Sequence, residues 1–115
     1  MLRGEIRVTD FDPAHGSEVA KRRPAIVVSN DGANARVVSL GQGVITVVPL
    51  TSNVASVHLF QVELPAAETG LRAESKAQAE QVRSISFDRI GRRVGAVPQP
   101  LMAQVDDALR LHLTL

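Results

Sequence analysis

The chain has no cysteine, no tryptophan and no tyrosine, and only three phenylalanines among its 115 residues. Without cysteine there is no disulfide staple, no thiolate metal site and no thiol nucleophile, which fits a reducing compartment. No apolar run approaches the roughly 18–20 residues that a bilayer-spanning helix needs. The opening residues, Met1-Leu2-Arg3-Gly4-Glu5, lack a basic stretch leading into an apolar one, so no secretory leader is expected and the expected location is cytoplasmic. An excess of one charge is also missing: 13 Lys and Arg stand against 12 Asp and Glu, a net +1. Bulk charge therefore announces no polyanionic partner. His15, His58 and His112 lie far apart without i,i+4 spacing, so no metal site is expected. Gly41-Gln42-Gly43 lacks the residues and the helix start that a nucleotide loop needs, and no cofactor is expected.

What the chain does have is valine and short alternating runs. Hydrophobic residues make up 44% and charged ones 22%, ordinary for a globular protein, and the length suits one domain over residues 1–115. Ile6 and Val8 alternate with Arg7 and Thr9, the period of a half-buried strand ending near Phe11. Residues 25–29 form a short continuous apolar run, as a central strand buried on both faces would. Residues 30–34 are turn chemistry with at most one helical turn. Residues 44–50 read as a third strand closed by Pro49. Residues 57–64 read as a fourth, with Phe60, Val62 and Leu64 inward against Gln61 and Glu63. The alanines of residues 77–85 suit helix or strand equally. Residues 86–90 read as a helical turn and 92–97 as a last strand, with Arg92-Arg93 taken as a solvated face. After Pro98-Gln99-Pro100, residues Leu101, Met102, Val105, Ala108, Leu109 and His112 recur at helical spacing, with Asp106 four residues before Arg110. His112 is read there as a core or interface histidine. The order of elements predicts a mainly β fold, a small curved sheet or barrel capped by a C-terminal helix.

The densest chemistry lies in Gly16-Ser17-Glu18-Val19-Ala20-Lys21-Arg22-Arg23-Pro24, which runs straight into Ala25-Ile26-Val27-Val28. A polar turn there brings a carboxylate, a hydroxyl and three cations to the mouth of a strand. Pro24 fixes its own φ and restricts the residue before it to extended conformations, which stiffens the base of Arg23. With Arg3-Gly4-Glu5-Ile6, Pro49-Leu50-Thr51-Ser52-Asn53 and Glu80-Gln81-Val82-Arg83-Ser84-Ile85, this segment resembles the MazF/PemK family of ribonuclease toxins from bacterial toxin–antitoxin pairs. The resemblance covers nearly the whole chain. It favours a strand over residues 77–85 and implies an SH3-like β-barrel.

The resemblance also implies an activity and a site. RNA carries its own nucleophile, the 2′-hydroxyl, so cleavage needs only a base, donors to the charged phosphorane and an acid for the departing 5′-oxygen. Arginine supplies a permanently charged fork of donors that matches phosphate oxygens. By resemblance Arg23 and Thr51 are catalytic, and Glu18 is a base or an orienting group. Ser17, Ser52 and Gln81 match positions lining the RNA channel, and Lys21, Arg22 and Asn53 belong with them as RNA-binding residues. The implied products are a 2′,3′-cyclic phosphate and a 5′-hydroxyl, from single-stranded RNA, without a metal. Implied partners are a second copy in a homodimer and an acidic MazE-like antitoxin blocking the channel. One departure stands out: Arg7 occupies a first-strand position where the family commonly has an aromatic residue. With so few rings for base stacking, recognition falls to hydrogen bonds and arginine. The alternative of another class is a CcdB-like, non-enzymatic toxin that binds DNA gyrase.

Overall fold

A computed structural model describes residues 1–11 and 21–115; Ser17 and Glu18 lie outside the described residues. Strands β1 (Glu5–Asp10), β2 (Arg22–Val27) and β3 (Val44–Thr51) are antiparallel neighbours, and β7 (Ile90–Ala96) pairs with the other edge of β1. The far edge of β3 is shared. Its first half pairs with β6 (Arg83–Ser86) and its last two residues pair with β5 (Ser75–Gln78), which carries β4 (Gln61–Leu64) outside it. The order is thus β4-β5-β3-β2-β1-β7, with β6 also on β3. Among the described residues no ladder joins β4 to β7, so the expected barrel is an open one.

Alternation along the middle strands divides the core into two clusters. Ile26, Val48 and Leu50 join Ile6, Leu64 and the helix residues Met102, Val105 and Ala108. Ala25, Val27, Ile45 and Val47 join Phe11 and Ile85. Strand β2 is therefore buried on both faces, as its continuous apolar run requires. Each fully buried Ile or Val contributes about 1.5–3 kcal/mol by leaving water. The helix α3 (Gln99–Leu113) starts with Pro100 in its first turn, where a missing N–H costs nothing, and buries Met102, Val105 and Ala108.

Four sequence expectations change. Residues 30–34 open a full helix, α1 (Asp31–Leu40): Asn30 Oδ1 accepts from the Ala33 N–H at 2.8 Å and caps it. Among α1 residues only Asn34 is buried, so no apolar stripe signals this helix. Residues 77–85 are not one strand: a 3-10 turn at Ala79–Gln81 separates β5 from β6. The fourth strand is shorter than 57–64, and Gln61 is buried with its amide donating to Glu80 Oε2 at 2.6 Å. His112 is exposed rather than on the inner stripe, its ring 6.2 Å from that of Phe60.

Candidate RNA-cleaving site

The β2–β3 ladder ends at Ala25 opposite Pro49. Beyond that pair, Arg22, Arg23 and Pro24 stay on β1, while Leu50 and Thr51 go to β5. Neither proline offers an N–H to extend the ladder. A cavity of ≈710 Å³ lies across this divide. Its β1 and β2 side carries Val8, Arg22, Arg23 and Pro24, with Lys21 just before the strand; its β3 side carries Leu50, Thr51 and Ser52. The loop after the short helix α2 (Ala66–Thr69) supplies Arg72, and β7 supplies Arg92. That loop reaches the cavity because α2 lies directly on β7: a Cβ on Gly95 would stand 2.4 Å from the Thr69 carbonyl oxygen, so only glycine fits.

Lys21, Arg22, Arg23, Arg72 and Arg92 line the cavity, and no carboxylate of the described residues does. The charge that the described residues bring there is wholly positive although the chain as a whole is nearly neutral. Arg23 is half-buried, and its Nε is buried with no hydrogen-bond partner among the described residues. A buried donor left unpaired costs about 1–3 kcal/mol, which an incoming anion would recover. Thr51 is arranged as a complementary donor. Its Oγ1 accepts the Asn53 N–H at 3.2 Å, leaving the hydroxyl hydrogen to be given elsewhere. The loop beyond Thr51 is tied down by Lys76, a buried lysine on β5 opposite Thr51 whose Nζ donates to the Ser56 carbonyl.

The structure thus gathers Lys21, Arg22, Arg23, Thr51 and Ser52 around one cavity. Asn53 and Gln81 do not line it: Asn53 turns its side chain to the Ala55 N–H, and Gln81 closes the 3-10 turn between β5 and β6. Sequence reading missed Arg72; Arg92 and Arg93 are both exposed, as a solvated face requires, and Arg92 in addition borders the cavity. Alternation along β7 parts the Arg92-Arg93 pair, sending Arg92 to the cavity while Arg93 Nε reaches the Gly95 carbonyl. Arg7 lies outside the cavity lining; it donates to Glu5 Oε1 and to the Gly91 carbonyl, both at 3.0 Å. Burial pushes the Glu5 carboxyl up, but bonds from Arg7 and the Leu2 N–H, with the Arg7 charge, outweigh it and hold the pKa below the ordinary value of 4.5. No aromatic residue lines the cavity, and Phe11 is fully buried beneath Arg83. Among the described residues no group of three or more His, Cys, Asp or Glu side chains is placed to hold a metal ion.

Fold and cavity together define a small antiparallel β protein with a cation-lined cleft where a central ladder ends. The chain belongs to the family of PemK-like, MazF-like toxins of type II toxin–antitoxin systems, whose pattern it matches over residues 2–113. It is 58% identical over 115 residues to endoribonuclease MazF9 of Mycobacterium tuberculosis, covering 100% of this chain and 98% of that one. MazF from Deinococcus radiodurans superposes with a TM-score of 0.84 at 27% identity, over 100% and 97% of the two chains. A MazE–MazF complex from the same organism has a chain that superposes at 0.76 with 26% identity, again over 100% and 97%. The gyrase-binding alternative is not favoured by these likenesses.

Proposed function

We propose that this protein is the toxin of a toxin–antitoxin pair and an endoribonuclease that cuts single-stranded RNA without a metal. The observation that carries this reading is the gathering of five cations around Thr51, Ser52 and the Arg23 Nε, which has no hydrogen-bond partner among the described residues. In the step proposed, the 2′-oxygen attacks the adjacent phosphorus. The O2′–P bond forms as the P–O5′ bond breaks; the 2′ proton passes to a base, Glu18 being the candidate, and another proton reaches O5′. Arg23 donates its fork to the phosphorane oxygens, where one well-aimed donor is worth about 3 kcal/mol. Thr51 donates its hydroxyl to the same centre. Lys21, Arg22, Arg72 and Arg92 hold flanking phosphates, while Ser17, Ser52, Asn53 and Gln81 are assigned to the RNA path beyond.

The protein acts as a single domain over residues 1–115, as a homodimer, in the cytoplasm, and it is restrained by an acidic antitoxin of the MazE kind. A relative's complex of MazE with MazF supports that partner. The test is incubation of the purified protein with a long RNA in excess chelator, followed by end analysis. Cleavage undiminished by chelator, leaving cyclic phosphate and 5′-hydroxyl ends, is expected; loss of cleavage on chelation would overturn the metal-free reading.

A further inference from the structure

The backbone that follows Thr51 has no apolar anchor, since every residue from 52 to 59 is exposed. Polar ties hold its shape instead. The Asn53 N–H donates to Thr51 Oγ1 at 3.2 Å, and the Ala55 N–H donates to Asn53 Oδ1 at 3.3 Å. Toward the end of the loop the His58 N–H donates to Gln61 Oε1 at 3.1 Å. Between these ties Lys76 reaches across from β5 and donates to the Ser56 carbonyl. Lys76 is only 8% exposed, unusual for a lysine without a carboxylate partner. Its register neighbours are Thr51 on β3 and Glu63 on β4, yet its bond is to a neutral carbonyl. A buried ammonium so placed recovers little of what it loses in leaving water, so stability alone does not account for it. Lys76 does not line the large cavity, whereas Thr51 and Ser52 do. Any effect it has on a bound strand therefore passes through the loop.

We propose that Lys76 is a positioning residue for Thr51. By fixing Ser56 to the strand opposite Thr51, it closes the loop on its own starting point and holds the Asn53 N–H against Thr51 Oγ1. With that lone pair occupied, the hydroxyl hydrogen is kept for the phosphorane. Released from β5, the loop would free the Thr51 hydroxyl to spend its hydrogen on water or on a nearby backbone carbonyl. The role rests on the RNA-cleaving reading above and adds to it what aims one of its donors.

The test is single-turnover cleavage of a single-stranded RNA by the parent, Lys76→Met, Thr51→Val and the double variant. Lys76→Met keeps an apolar stem of similar length and removes the donor. It should lower the rate at saturating protein about tenfold, with the half-saturating concentration changed less than about twofold. Thr51→Val should lower the rate about a hundredfold, and adding Lys76→Met to it should lower it by less than about twofold more. A residue that only supports the fold would give the same fall in both backgrounds. Equal falls would overturn the positioning role, as would a Lys76→Met protein as fast as the parent at saturation. Lys76→Leu repeats the comparison where the methionine variant melts below the assay temperature; failure of both to fold would make Lys76 a residue of the fold and overturn the proposal. No cleavage by the parent, or full cleavage by Thr51→Val, would instead overturn the reading on which the proposal rests, and the proposal with it.

Discussion

Arg23 owes its usefulness to what surrounds it. Pro24 holds its backbone extended, β1 holds its strand, and the end of the β2–β3 ladder leaves its head facing a cavity with an unsatisfied Nε. Such a residue costs stability until an anion arrives, so cleavage and stability should separate on substitution. Arg23→Ala should lower the cleavage rate at least about a hundredfold, the effect of losing one preorganised donor. Arg23→Lys should restore little, because a point charge cannot bridge two oxygens. Arg23→Met should be equally inactive yet melt no lower than the parent. Single-turnover cleavage and thermal melts on the same preparations check all three, and a folded Arg23→Ala variant with full activity would remove Arg23 from the mechanism. That Arg23 and Thr51 line one cavity was legible through the family resemblance of their local motifs, Arg23 beside Pro24 and Thr51 before Ser52-Asn53. Arg72 was not legible, because its place depends on α2 lying on β7 through Gly95, a contact between segments about twenty residues apart.

At the level of elements, the strands were legible wherever burial alternates or is continuous, as in β1, β2 and β3. The helix α1 was not, since a helix burying only Asn34 writes no apolar period into the sequence and is announced only by its Asn30 cap. The break between β5 and β6 was hidden because alanines carry little preference that distinguishes strand from turn. The first strand also holds a titration device. The Glu5 carboxyl, 12% exposed, is bonded to Arg7 and to the Leu2 N–H, and its folded pKa lies below its unfolded value. Its contribution to stability is therefore fully present above the unfolded value and is lost as pH falls through the folded one. Glu5→Gln should melt at a lower temperature than the parent at about pH 7, with the gap closing as pH falls toward about 3. Thermal melts across that range decide it; a gap that does not narrow on acidification would mean the ion pair contributes nothing to β1.

Across the whole molecule, charge is balanced in total and separated in place. Carboxylates serve structure away from the large cavity: Asp106 pairs with Arg3, whose Nε also donates to the Val28 carbonyl, tying the N-terminal segment and the end of β2 to α3. Among the described residues, the charged groups lining the cavity are all cations. An acidic, extended inhibitor segment would meet the same field as RNA. Antitoxin binding should therefore weaken as salt rises and in a Lys21→Glu/Arg22→Glu double variant, and RNA should compete with it. Calorimetry and competition assays measure this, and salt-independent binding unchanged by the charge reversals would place the antitoxin elsewhere. The central claim is that RNA supplies its own nucleophile to a cation-lined cleft. The most direct measurement uses a single-stranded RNA with one cleavage site, in which the 2′-hydroxyl before the scissile phosphate is replaced by hydrogen. Cleavage at that site should vanish while binding of the strand persists. Cleavage of the substituted strand at the rate of the unmodified one would contradict internal 2′-hydroxyl attack.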